Sequence, residues 1–209
     1  MTLDARTVWD RPIRLFHWSL ALCVLVSFVS VKLNMMQVHF ASGGTVLGLL
    51  VFRLLWGIWG SSTARFLQFL PTPARIKNWR AGNTIGHAPL GALATFALLG
   101  ILATQVSLGL FVDDEIYLTG PLRDMVTSKQ AAFATTWHAR LSDAVLFVVA
   151  LHIIAIAVHR LVMDHRIIGT MVHGRGADNH HGEQFFYASP WRFITSGLLA
   201  ALVVIVVFA

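Results

Sequence analysis

The chain has 209 residues, 56% of them hydrophobic and 12% charged, against roughly 25% charged in soluble domains. Its mean hydropathy of +0.67 and its long apolar blocks exclude an ordinary soluble domain and point to lipid-facing helices. The formal charge of +6 does not argue for a nucleic-acid partner, because the basic residues flank apolar blocks as topology signals do.

In chain order, five spans are predicted: Leu15 to Leu33, Phe40 to Gly60, Pro89 to Phe111, Phe133 to Leu161, and Phe193 to Ala209. The first four have the ~20 residues needed to cross ~30 Å of hydrocarbon as helices, and lipid forbids unpaired backbone groups. The fifth, about 17 residues, is at the lower limit for a crossing and is short enough to lie at the rim. Cys23, the single cysteine, lies inside an apolar run, so there is no CxxCH, no thiolate cluster and no internal disulfide. No small-residue cleavage site follows Leu33, so the first span reads as retained rather than as a signal peptide.

Arg6, Arg11 and Arg14 precede the first span. Arg65, Arg75, Lys77 and Arg80 lie between the second and third, and Arg160, Arg166 and Arg175 follow the fourth. The loop between spans three and four instead carries Asp113, Asp114, Glu115 and Asp124 against Arg123 and Lys129. The positive-inside rule then places the N-terminus in the cytoplasm, the acidic loop outside and the end of the fifth span in the periplasm. The expected organisation is all-α: a four-helix transmembrane bundle over 1–161, a cytoplasmic connection over 162–192 and a fifth C-terminal helix over 193–209. That connection is rich in Gly and His (Gly169, His173, Gly174, Gly176, His180, His181, Gly182). The tryptophans (Trp9, Trp18, Trp56, Trp59, Trp79, Trp137, Trp191) cluster near span ends and read as an interfacial belt.

Among the ten histidines, His17, His39, His138 and His152 fall inside spans or at their ends. A titratable group in hydrocarbon should face protein, a cofactor or water. His138 and His152 are fourteen residues apart, which puts them within about 40° of one helix face and ~21 Å apart along it. With alternating span directions, His17 meets the depth of His152 at the inner surface and His39 that of His138 at the outer. A lone histidine in a span reads equally well as a core residue, a proton relay or an interfacial anchor. Two at each of two matched depths read as axial ligands of two b-type haems. Zinc would need its ligands at one point, which a ~21 Å separation forbids. An ion or proton transporter would show acids at mid-depth, where Asp143 comes nearest with Arg140 one turn away.

Other residues fit the same reading with less force. Arg53, fourteen residues after His39, and Arg14, one turn from His17, are candidates to meet a haem propionate. For Arg14, snorkelling to the interface serves as well. His159 and His87, at the inner rim, are candidates for a propionate or a quinone carbonyl, and an ordinary interfacial histidine accounts for each too. Gly43, Gly44 and Gly48 after His39, and Gly91, Gly100 and Gly109 in span three, permit either a flat macrocycle or close helix packing.

The residues that carry these readings resemble a known family. Val8-Trp-Asp-Arg-Pro-Ile-Arg-Leu-Phe-His17-Trp is similar to the opening of the bacterial cytochrome b561 family, which includes the b-type cytochrome subunit of nickel–iron hydrogenases. His39 with Gly43 to Gly48 and Arg53-Leu-Leu-Trp56, then Gly86-His87-Ala-Pro-Leu-Gly91, then Trp137-His138 and Leu151-His152 resemble its second, third and fourth helices. The resemblance covers about Val8 to Arg160. It implies two haem b groups on His17, His39, His138 and His152, and a quinone as exchangeable substrate. It further implies a place in the bacterial inner membrane and electron exchange with a periplasmic c-type cytochrome, dehydrogenase or hydrogenase subunit. Within that class, the alternative is a free-standing oxidoreductase taking electrons from superoxide or another small reductant to quinone. Outside it, the alternatives are a transporter and a structural membrane anchor.

Overall fold

The first helix begins where the sequence supplies both parts of a start signal. Asp10 accepts a hydrogen bond from the Ile13 backbone N–H at 2.9 Å, and Pro12 stands in the first turn of α1 (Arg11–Lys32), where a missing N–H leaves nothing unpaired. Asn34, at φ +56°, then turns the chain into α2 (Met36–Trp59). The computed structural model describes residues 8–77, 87–115, 118–162, 167–174 and 186–209. Two short helices follow, α3 (Phe66–Phe69) and α4 (Pro73–Lys77). Then come α5 (Pro89–Gly109), α6 (Ser128–Val162), α7 (Ile167–His173) and α8 (Pro190–Phe208). Among the described residues the only extended pairing is one bridge between Asp113 and Thr119 in the α5–α6 loop. Arg6, Trp79, Arg80, Gly86, Arg166, Arg175, Gly176, His180, His181 and Gly182, used in the sequence readings, lie outside the described residues.

Five helices, α1, α2, α5, α6 and α8, are long and apolar enough to cross a membrane. The protein is therefore an all-helical, multi-pass membrane protein. Leu25, Leu54, Ile58, Phe147 and Leu202 are exposed on its flanks, as surfaces that meet lipid tails require.

The fifth of these helices does not stop at the rim. Trp59 Nε1 donates to Ser196 Oγ (2.9 Å) and Arg192 Nη1 to the Trp59 carbonyl (2.9 Å). At the other end Phe208 packs on Gly44, with Val204 on Gly48 between. So α8 runs antiparallel to α2 over most of its length and reaches the same depth. Gly44 and Gly48 serve this packing, where a Cβ would come within 3.2 and 3.1 Å of α8 side chains.

The closest neighbours are α1 with α2, α2 with α8, and α5 with α6. Two apolar clusters tie them together. One, toward the basic-loop end, contains Trp9, Ile13, Phe16, Phe52, Trp56, Ala64 and Ala200. The other, at mid-depth, contains Val46, Leu50, Leu102 and Val145. Trp9 and Trp56, read from the sequence as belt residues, are core residues instead. Trp56 is 1% exposed, packed between Phe52 and Phe193 with its Nε1 on Asp10.

Candidate functional site

Depth along the helices decides which histidines meet. α1 and α2 are antiparallel, so His17 and His39 lie at opposite ends of that pair, and α6 carries one histidine at each level. The structure brings His17 to His152, with ring centroids 6.5 Å apart and planes at 55°. It brings His39 to His138, at 6.1 Å and 81°. All four rings are half-buried. The mid-depth apolar cluster separates the two pairs and includes Val145, seven residues from each α6 histidine, with Val46 and Val24 seven beyond His39 and His17. Among the described residues no three His, Cys, Asp or Glu side chains converge as a tetrahedral metal site requires.

The His39–His138 pair is held from behind. His39 Nδ1 meets the Ser27 carbonyl at 3.0 Å, and His138 Nδ1 meets the Gln105 carbonyl at 2.9 Å. Gly109 lies against the His138 ring: a Cβ there would come within 2.9 Å of its Cε1. Gly109 is thus required by a side chain, not by helix packing. Gln105 and Ser27 were not recognised from sequence as parts of this site, whereas Gly109 was among the glycines read as permitting a macrocycle or close helix packing. A glutamine inside an apolar helix was the one available signal. In the other pair, His17 Nδ1 is buried without a hydrogen-bond partner.

At the basic-loop end a buried knot takes up two residues assigned to propionates. Asp10, 2% exposed, accepts from Trp56 Nε1 at 3.0 Å and is the opposite charge acting on Arg53. Arg53, 3% exposed, donates to the Ala64 carbonyl at 3.1 Å and lies 4.5 Å over the Phe66 ring. Its charge is therefore answered within the protein, and its burial alone does not call for a propionate. Arg14 Nη1 donates to the Val172 carbonyl at 2.6 Å and so caps α7, while its Nε is buried without a partner. Gly174, at φ +81°, ends α7, and its carbonyl accepts from the Val8 N–H at 2.8 Å.

His87 sits between Trp9, edge-on at 4.7 Å, and Phe69, stacked at 4.3 Å. Burial, with the Arg53 and Arg75 charges behind it, pushes its imidazole down to about 3. His159 is exposed on the last turns of α6, two turns past His152. At the opposite end, the hydrogen bond from Arg123 holds the Asp113 carboxyl below its ordinary range. Arg140 lies over the Trp137 ring (5.7 Å), while Asp143 is exposed.

Compared with known families, residues 8–174 match the one described as prokaryotic cytochrome b561. The chain belongs to the prokaryotic cytochrome b561 family. No curated protein and no solved structure matches it. A prokaryotic cytochrome b561 is a membrane b-type cytochrome of electron transfer and binds haem b.

The residues present fit that group. Iron bound on both faces by imidazole nitrogens at about 2 Å, with each ring centre about 1.2 Å behind its nitrogen, separates ring centroids by about 6.4 Å. The 6.5 and 6.1 Å pairs lie on either side of that figure. Where Nδ1 donates to a carbonyl, Nε2 keeps the lone pair that a metal takes. Gly43, one turn past His39, faces open space, and α6 packs chiefly on α5 rather than on α1 or α2.

Proposed function

We propose that this cytochrome b561 is a di-haem electron carrier between a periplasmic redox partner and the quinone pool of the bacterial inner membrane. Its core is residues 1–161, with 162–192 as a cytoplasmic connection and 193–209 as an added span. His17 and His152 would hold the inner haem, and His39 and His138 the outer. The two ring pairs carry this reading, because few other centres ask for two imidazoles opposed at about 6.4 Å. Haem b held at these two depths supplies one-electron exchange on each side of the bilayer.

The chain's own groups do the rest. The His39 and His138 Nδ1 hydrogen bonds orient both outer rings. Val46, Leu50, Leu102 and Val145 exclude water from the middle of the bundle. Arg14, whose Nε has no partner, is the better placed of the two arginines to meet a propionate, with Arg53 adding positive charge behind it. His159, exposed at the inner rim, exchanges protons with the quinone at its ring nitrogen. His87, kept neutral by burial, walls that end. The basic residues of the 61–88 loop support a cytoplasmic position for that loop, with the acidic α5–α6 loop and the end of α8 in the periplasm.

The test is reduction of the detergent-purified protein by a short-chain quinol, followed at the haem α-band. The reading predicts reduction that slows about tenfold or more in His159→Phe with the haem content unchanged. No reduction by quinol, or an unaltered rate in the variant, contradicts it.

A further inference from the structure

The two histidine pairs differ in what stands behind them. In the outer pair, both Nδ1 atoms donate to main-chain carbonyls. His39 donates to Ser27 O at 3.0 Å with Ser27 Oγ at 3.1 Å, and His138 donates to Gln105 O at 2.9 Å. A carbonyl that draws on the Nδ1 proton makes Nε2 a stronger donor to a metal. In the inner pair, His17 Nδ1 is buried with no partner, and His152 forms no hydrogen bond among the described residues. Fixed charge has the same asymmetry. At the inner end Arg11, Arg14, Arg65, Arg75, Lys77, Arg160 and Arg192 stand beside the Arg53–Asp10 pair, whereas at the outer end Asp113, Asp114, Glu115, Asp124 and Asp143 are nearly balanced by Lys32, Arg123, Lys129 and Arg140.

Both differences act in one direction. A more basic ligand pair and nearby negative charge stabilise ferric iron, whereas bare imidazoles and nearby positive charge favour ferrous. Burial does not oppose them, since all four rings are half-buried. Two contacts temper the outer pair without reversing it. Ser30 Oγ donates to the same Ser27 carbonyl at 2.9 Å and shares its lone pairs. The Gln105 carboxamide nitrogen donates to the His138 carbonyl at 3.0 Å and stays 3.5 Å from His138 Nε2.

From this we infer that the Ser27 and Gln105 carbonyls make the His39–His138 site the lower-potential of the two. The inference rests on the di-haem reading above and ranks its two sites.

The experiment is a spectroelectrochemical titration of the purified protein and two variants, with haem counted by pyridine haemochrome in each. Gly109→Ala pushes on the His138 ring, whose Cε1 would lie 2.9 Å and Nδ1 3.2 Å from the added Cβ, and so loosens its bond to Gln105. Ser30→Ala removes the competitor for the Ser27 carbonyl and strengthens the bond to His39. The lower of the two steps should move upward in Gly109→Ala, by about tenfold in the oxidised-to-reduced ratio, which is 59 mV for a one-electron couple. The same step should move downward by a smaller amount in Ser30→Ala, and the higher step should stay in place in both. If the higher step moves, or neither does, the inference is overturned while the di-haem reading stands. A count below two haems per chain in the unmodified protein withdraws both. Should Gly109→Ala not fold, the sign and identity of the Ser30→Ala shift still decide.

Discussion

His138 is held by three separate features: the Gln105 carbonyl on its Nδ1, the bare face of Gly109, and the His39 ring 6.1 Å away. Replacing it with alanine removes a ligand without disturbing the other pair, about 21 Å off along the same helix. His138→Ala should therefore lower the haem content from two to one per chain and leave one α-band component, measured by pyridine haemochrome and a low-temperature difference spectrum. His87 makes a pH prediction of the opposite kind to a histidine in a salt bridge. The unfolded chain takes a proton near 6.5, but the folded protein refuses it until about 3. Stability is then complete above 6.5 and falls as the pH drops through that window. Thermal unfolding in detergent should show a lower Tm at pH 5 than at pH 7, and His87→Gln should reduce the difference. At this scale the sequence was only partly readable. Which histidines come near one another follows from counting residues along helices. That Ser27 and Gln105 stand behind two of them depends on helix rotation, which counting does not supply. Arg53 shows the same limit: its counter-charge, Asp10, comes from a segment that folds back from forty-three positions away.

Helix lengths and order were legible because lipid imposes them, and α6 departed most, starting at Ser128 rather than Phe133. The short last helix was the open question, and packing rather than hydropathy answers it. Gly44 and Gly48 let Phe208 and Val204 approach α2, and Trp59 and Arg192 close the other end. The same glycines had been equally compatible with a macrocycle, since a missing side chain does not say what replaces it. Gly48→Leu should wedge α8 away and cost about 1–3 kcal/mol, as overpacking of a fitted contact does. It should lower the Tm of the purified protein and leave its haem content unchanged, because α8 carries none of the four histidines. Loss of haem in that variant would mean that α8 supports the histidine pairs directly.

As a whole, the molecule is a set of apolar rods in which polar groups are gathered at four levels. A basic, aromatic-lined knot lies at one end, an acidic loop at the other, and imidazoles stand in two pairs between them. Lipid supplies no compensation for such groups, so each level calls for a local partner. Within the knot Asp10 and Arg53 find their partners inside the protein, and so does the Asp113–Arg123 clasp of the acidic loop. The paired imidazole rings, 6.5 and 6.1 Å apart between centroids, are the groups that a metal centre would complete. Counting haem on the purified chain tests this most directly, by pyridine haemochrome against quantitative amino-acid analysis. Two haem b per chain, reduced in two one-electron steps, is the predicted result. One or none in protein purified from haem-replete cells would contradict it.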